Sequence, residues 1–408
     1  MLREKVVIHF LLFLSTLVYA YKKAYLPNLK EYTIYVKLEI TGQWEIQEGK
    51  AIATAKVEES ELEKLEGRNG VLILKKPFYI PKAKRIEIFG NVSVKNNSIF
   101  ITTFPWEVEE LPPKNKVREK FIKLFKEAVK DEELRALGLA FIFGESKRNI
   151  PVELERIFLH TGLIHVLVVS GLHVGLIFLV ISKFLPRLKG ELLGLLGVFL
   201  YAYFLVPHNP PVLRATLMLS FYVLSLLSFR KHCSLCSLFF VSTILLILYP
   251  HFVFSYSFWL SFFAVLYIIL VLNELNAPNI VKGFLVSFSA FTGTAPLIGS
   301  FSFITPLSVI LSPLISPLIL SYAFFSVLSL ITFFSFPLSV VFMELSGNIT
   351  LLIVRAFSDL SPLILTNISK EEAFILSSAG ALGLFFTKGY YKLVPLILVN
   401  LYIFLRSL

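Results

Sequence analysis

The stretch His160-Thr161-Gly162-Leu163-Ile164-His165-Val166-Leu167-Val168-Val169-Ser170-Gly171-Leu172-His173-Val174-Gly175-Leu176, with the apolar run that carries it on to Phe184, decides the class of this chain. Three histidines, a serine and three glycines enter a segment made mostly of Leu, Ile and Val. Hydrocarbon offers polar side chains no partner, so in a membrane these groups must turn toward a bundle interior or a wet cavity. Small residues also let backbones approach closely. A lined pore or broken helix fits this segment, and so does plain helix packing with polar groups as hydrogen-bonded glue.

Outward from this stretch, apolar segments recur at 192–206, 212–229, 235–249, 254–272, 284–303 and 307–334, with two or three more between Pro337 and Leu405. Several are shorter than the ~20 residues of a straight span, so re-entrant or steeply packed pieces are expected. Composition agrees. Hydrophobic residues are 56% of 408 and charged residues 16%, and the mean hydropathy is +0.74. A water-soluble fold cannot hide that much apolar surface, whereas lipid acts as its solvent.

The loops carry an orientation. Lys183, Arg187 and Lys189 share one loop, Arg230 and Lys231 another, and Glu274 and Lys282 a third. Between them lie Pro207-His208-Asn209-Pro210-Pro211 and Tyr249-Pro250-His251, which have no Lys or Arg. This alternation puts the basic loops in the cytoplasm. The first apolar run, Val6 to Tyr19, follows Arg3 and Lys5 and lacks a small-x-small cleavage site before Tyr21. It reads as an uncleaved anchor with its amino end inside, somewhat short for a full span.

Between Leu26 and Trp106 charge becomes frequent and apolar residues alternate. Strands are expected at 32–40, 51–57, 71–74, 85–89 and 98–103, punctuated by Gly42, Gly49, Gly67, Gly70 and Gly90-Asn91. They suggest a small barrel or sandwich, with an OB-type barrel as one candidate. Tyr, Trp and Lys on such strands could stack on and neutralise single-stranded nucleic acid, or the module could be purely structural. From 114 to 135, apolar residues at helical spacing with lysines between predict a basic helix on the membrane surface; the short apolar piece 136–143 cannot span. The expected organisation is an anchor (1–21), a β-module (22–112), a surface helix and connector (113–147) and a transmembrane domain (148–408).

The net charge of +11 fits an anionic partner, nucleic acid or lipid head groups, and equally the Lys/Arg excess of cytoplasmic loops. The two cysteines, Cys233 and Cys236, are too few for a zinc site and read as packing residues, with no disulfide framework implied. A nucleophile–base pair of Ser170 and His173 is conceivable at their i, i+3 spacing, but Val168 stands where a Gly-x-Ser-x-Gly motif needs glycine. A metal held by His160, His165 and His173 is also conceivable, although the run holds no carboxylate. Arg355 and Asp359, one turn apart, are expected to pair. Pro296, Pro306, Pro313 and Pro317 are expected to break helices toward a cavity.

Gly144-Glu145-Ser146, Thr161-Gly162-Leu163-Ile164-His165 and Val169-Ser170-Gly171-Leu172-His173-Val174 together resemble the signature of the ComEC family of competence proteins. Pro211-Val212-Leu213-Arg214-Ala215-Thr216-Leu217-Met218 resembles the family's second mark, and Ser255-Tyr256-Ser257-Phe258-Trp259-Leu260-Ser261-Phe262-Phe263-Ala264-Val265 its third. Thr294-Ala295-Pro296 and the proline-broken run to Pro317 resemble the fourth. The resemblance spans roughly 134–320 in order, and the leading module resembles the family's OB-like domain in position and texture.

This resemblance implies an α-helical polytopic membrane protein of the inner (plasma) membrane with a small extracytoplasmic OB-like β-barrel near its N-terminus. It implies a channel that passes one strand of transforming DNA into the cytoplasm. The expected DNA path is His160, His165, Ser170, Gly171, His173, Arg214, Ser257, Ser261, Thr294 and Pro296, with Arg214 either contacting phosphate or snorkelling to the interface. No catalytic residue, metal or cofactor is expected. Partners would be single-stranded DNA, the lipid bilayer, a separate ATP-driven motor, since no Gly-x-x-x-x-Gly-Lys motif occurs, a DNA receptor and, for a homo-oligomer, further copies of the chain. The His-x-His-x-Asp-His motif of the metallo-β-lactamase-like domain of longer relatives has no counterpart among the seven histidines, so nuclease activity is expected to come from elsewhere or to be missing. The outer-domain disulfide of some relatives also has none. A permease for another anionic solute, or an intramembrane hydrolase using Ser170 and His173, are the alternatives.

Overall fold

The structure, a computed structural model, describes residues 2–145, 150–167, 171–183, 185–206, 209–275, 277–360 and 363–407. Helix α1 (Leu2–Ala24) leads into a β-module of seven strands: β1 (Leu29–Ile40), β2 (Glu45–Gln47), β3 (Lys50–Ser60), β4 (Asn69–Lys75), β5 (Arg85–Lys95), β6 (Ser98–Thr103) and β7 (Val108–Leu111). The order β1-β3-β4-β6-β5 closes through a β1–β5 pairing. The β4–β6 pair is parallel and the others antiparallel. This is a five-stranded closed barrel of OB type.

Alternation decides what fills the barrel. Val36, Leu38, Val57, Leu72, Ile86, Ile88, Val94 and Ile101 point inward and are almost fully buried, and their polar neighbours face out. Glu48-Gly49 and Asn96-Asn97, all at positive φ, make the tight turns into β3 and β6, as two-residue hairpin loops require. The five expected strands are all present and mostly longer than their alternation indicated. The short β2 and β7, of three and four residues, fall below what alternation can reveal.

The helical part comprises α2 (Lys116–Ala128), α3 (Glu132–Phe143), α4 (Val152–His160), α5 (Gly171–Ser182), α6 (Arg187–Phe204), α7 (Pro210–Leu227), α8 (Ser234–Leu248), α9 (Tyr256–Leu272), α10 (Asn279–Gly299), α11 (Ser308–Ile331), α12 (Pro337–Ser358), α13 (Lys370–Phe386) and α14 (Leu393–Leu405). Among the described residues, Glu4–Ala24 of α1, together with α7, α10, α11 and α12, are long and apolar enough to cross a membrane. The chain is a polytopic membrane protein with a small barrel module. One core gathers α1, α8, α9, α10, α13 and α14, a second α2, α3, α4, α11 and α12, and a third α5, α6 and α7. Hydroxyl and amide contacts tie them: Asn400 Nδ2 donates to Thr292 Oγ1 (2.7 Å), Tyr267 Oη to Ser377 O (2.8 Å) and Tyr322 Oη to Leu134 O (2.6 Å).

Several expectations change. The anchor is not short, because its helix runs on through Tyr21-Lys22-Lys23. The helix expected over 114–135 is two: Asp131 accepts from Leu134 N–H and starts α3 afresh. The apolar piece 136–143 is the second half of α3, buried on all sides. Arg355 pairs with Glu133 of α3 and not with Asp359, because α12 packs on α3 and offers a carboxylate across the helix pair. Pro296, Pro313 and Pro317 lie inside the continuous helices α10 and α11, and Pro306 precedes α11. A proline is tolerated within a membrane helix because neighbouring helices, Ser/Thr hydroxyls and local adjustments of the turn re-satisfy the backbone groups it frees. Cys233 and Cys236 are joined as a disulfide; neighbouring side chains three apart at a helix start are close enough to bond, a possibility that packing alone did not suggest.

The barrel and the bundle meet through charge. Glu145, just past α3 and buried, accepts from Lys84 Nζ of the barrel (2.6 and 2.8 Å) and from Arg118 Nη2 of α2 (3.0 Å). Burial alone would raise this carboxyl, but the charges of Lys84 and Arg118 outweigh it and hold it below the usual carboxylate range. A carboxylate with a depressed folded pKa contributes stability above its unfolded value, ~4.3, and loses it as pH falls through the lower folded value. Docking of the barrel is therefore expected to weaken only in that acid window. Glu145→Gln should cost about 1–3 kcal/mol at neutral pH by leaving two cations without their carboxylate, the half-exposed Lys84 losing less than Arg118. Limited proteolysis between barrel and bundle measures both; unchanged cleavage in the variant would rule out this joint.

Candidate functional site

The signature segment is built from the end of α4. Gly162 holds φ +71°, and its N–H bonds Leu159 O while Leu163 N–H bonds Phe158 O. This is a Schellman end, which glycine adopts without strain. A Cβ on Gly162 would lie 2.8 Å from Ser308 Cβ and 3.0 Å from Thr305 Cβ, so the turn is pressed against the start of α11. Thr161 returns its hydroxyl to Ile157 O (2.9 Å). Ile164–Leu167 form a 3-10 turn, and Gly171 onward is the helix α5.

His160 ends α4 half-buried, and His165 is exposed on the 3-10 turn with its Nδ1 3.0 Å from Gly162 O. Leu163 and Leu167 on either side of His165 are fully buried, so the imidazole is the polar group this turn presents. Ser170 lies outside the described residues. Gly171 and Gly175 share one face of α5: among the described residues, a Cβ on Gly171 would touch Ala215 Cβ of α7 (3.5 Å), and one on Gly175 would meet nothing within 4 Å. That face is open.

His173 sits on another face. It is 4% exposed, with its ring centroid 5.2 Å from that of Phe141. It borders a cavity of about 130 Å³ shared with Tyr201, Ala323 and Val327, whose walls are almost wholly apolar. Tyr201 Oη donates to Ile142 O (2.9 Å).

Arg214 lies in the second turn of α7, next to the Ala215 that faces Gly171. Asn209 caps this helix by accepting from Val212 N–H (3.3 Å), and Pro210 opens it. The Arg214 side chain is 5% exposed, and neither Nε nor Nη1 has a hydrogen-bond partner among the described residues. The Thr216 hydroxyl is in the same condition. A guanidinium taken out of water without an anion is costly.

Ser257 and Ser261 share one half-buried face of α9. Thr294 returns its hydroxyl to Ala290 O (2.8 Å) within α10, and Pro296 is buried. The structure thus brings Gly171 to the helix of Arg214, whereas the α9 and α10 residues form a neighbouring pair of helices.

The barrel carries a second feature. The rings of Phe104 and Trp106 are stacked (4.6 Å, 9°), Phe78 continues the stack (6.3 Å, 12°), and Lys75 Nζ lies 5.9 Å from the Phe104 centroid. Phe78 and Trp106 are exposed. Sequence reasoning anticipated Tyr, Trp and Lys on strands but missed these phenylalanines, which stand in loops where alternation gives no signal.

Among known proteins, the family described as Competence protein matches residues 141–394. A protein of Aquifex aeolicus (strain VF5), described as an uncharacterized protein, is 60% identical over 399 residues, which is 98% of this chain and 97% of the relative. No solved structure matches.

Proposed function

We propose, from the premise that the chain belongs to the competence protein family, whose role is DNA uptake during competence, that its helical bundle is the channel for one strand of the incoming DNA. The observation that carries this reading is the buried Arg214 guanidinium, without partner among the described residues, beside the glycine face of α5 with its room at Gly175. A phosphate moving along that face supplies the anion the site lacks, and backbone and side-chain donors there take over part of its hydration. His160, His165, Ser170, Ser257, Ser261, Thr294 and Pro296 would extend the path above and below. His173, facing an apolar cavity, would position α5 instead of touching the strand.

Two features support an inner-membrane orientation with the N-terminus in the cytoplasm and the barrel outside. A Cβ on barrel residue Gly67 would lie 2.7 Å from His251 Cε1, in the Lys- and Arg-free turn between α8 and α9. Asn115 and Arg118 donate to Phe204 O and Leu205 O at the end of α6, where the other such loop begins. The basic loops stand at the opposite ends of these helices, as a cytoplasmic face requires. The aromatic stack Phe104–Trp106–Phe78, with Lys75, offers bases a stacking surface ahead of the channel. A separate ATP-driven motor and a DNA receptor would complete the system.

The test is genetic. A deletion strain should lose conversion of added labelled DNA into a nuclease-protected form, and restoring the chain should recover it. Normal uptake in the deletion strain would end the reading. Saturable transport of a small anion without DNA dependence would favour a permease.

A further inference from the structure

The Cys233/Cys236 pair stands apart from the proposed DNA path. Cys233 is the N-cap of α8, and its Sγ accepts from Cys236 N–H at 3.2 Å. Cys233 is half-buried and Cys236 is 9% exposed. Arg230 and Lys231 precede them, both exposed. Two cysteines separated by two residues at the start of a helix combine three conditions for thiol exchange. The helix N-terminus and nearby cations favour negative charge on sulfur, one sulfur is reachable, and the second is sheltered. A purely structural bridge has little reason to be here, because a sequence separation of 3 closes a very short loop and the stabilisation of a disulfide grows with loop length.

The pair lies at the end of the α7–α8 hairpin remote from the barrel. Helix α7 starts at Asn209-Pro210 on the barrel side, and α8 returns to His251, against barrel residue Gly67. The N-terminal part of α1 is at the same remote end, with the His9 and Phe240 rings 5.8 Å apart.

We propose that Cys233 and Cys236 form a redox-active dithiol–disulfide centre that exchanges with thiol reductants of the compartment facing the basic loops. A thiolate of a reducing dithiol attacks Cys233 Sγ, the Cys233–Cys236 bond breaks, and Cys236 leaves as a thiolate that takes up a proton. The second thiol of the reductant attacks the mixed disulfide and releases Cys233. Two electrons and two protons pass to the protein, and the reductant becomes a disulfide. This centre does not depend on the DNA-uptake reading.

The chain has no other cysteines, so thiol counting reads the centre directly. The full chain, folded in detergent or nanodiscs, is treated with dithiothreitol, quenched with acid and labelled with a maleimide of high mass. Two thiols should appear without unfolding, and oxidised glutathione should remove both. In Cys236→Ser, Cys233 should form a mixed disulfide with glutathione about tenfold faster than Cys236 does in Cys233→Ser. Thiols that appear only after denaturation would overturn the proposal in favour of an inert crosslink. Thiols that oxidised glutathione never joins would overturn it in favour of plain packing residues, and equal rates in the two variants would remove the role of Cys233 as the attacked sulfur.

Discussion

Arg214→Met is expected to abolish DNA uptake while raising the thermal stability of the protein. The guanidinium is 5% exposed, and its Nε and Nη1 have no partner among the described residues. In the resting protein it is a cost, and replacing buried charge by apolar groups of similar volume commonly stabilises by about 1–4 kcal/mol. On the proposed reading it meets phosphate in the working protein. Two charge-assisted hydrogen bonds of roughly 1.5–3 kcal/mol each correspond to a loss of about a hundredfold or more. Arg214→Lys keeps a point charge without the two-pronged geometry and should retain part of the activity. A snorkelling arginine predicts the reverse pattern, with stability falling and uptake following only through the amount of protein in the membrane. Uptake per molecule within about threefold of the parent in Arg214→Met, on a scale where tenfold is ~1.4 kcal/mol, would remove Arg214 from the path.

Gly347→Val should strongly destabilise the bundle. A Cβ at Gly347 would stand 2.6 Å from Leu134 Cδ2 and 2.9 Å from Tyr322 Cδ2. Tyr322 is fully buried and its hydroxyl is committed to Leu134 O. On the other side of the same tyrosine, a Cβ at Gly138 would lie 2.7 Å from its Oη. Helix α3 therefore crosses α11 and α12 at a point where two glycines make the room, and no rotamer change of one side chain relieves the clash. Overpacking of this kind typically costs about 1–3 kcal/mol and occasionally more, which corresponds to a fall of roughly 2–10 °C in the melting temperature. Thermal unfolding in detergent checks it. A melting temperature unchanged within about 2 °C, less than the shift of one kcal/mol, would show that the crossing can relax.

Much of the architecture is legible in single residues and their periodicity. Alternation in β1, β3, β4, β5 and β6 reports which side of the barrel each residue faces, because a strand's side chains have a period of two whatever surrounds them. The glycine-and-histidine texture of 160–176 marks a polar intrusion into lipid. The site is less legible. His173 and Gly171 are two residues apart, and the chain gives no means of separating them. On α5 they look different ways, one into an apolar cavity against Phe141 and the other toward Ala215 of α7. Arg355 shows the same limit, since its local partner Asp359 and its distant partner Glu133 are equally good chemistry until α12 is packed on α3.

The order of amino acids by itself determines that this chain lives in lipid, that a small alternating-strand barrel precedes the helices, and which loops carry positive charge. These properties follow from transfer free energies and local periodicity, which each residue expresses without knowing its distant neighbours. Only the tertiary structure decides that Arg214 is buried without a partner among the described residues, that α3 is a helix enclosed at the crossing of α11 and α12, and that Glu145 holds the barrel to the bundle through Lys84 and Arg118. Those depend on which groups meet across long stretches of chain, and burial and pairing are properties of the meeting.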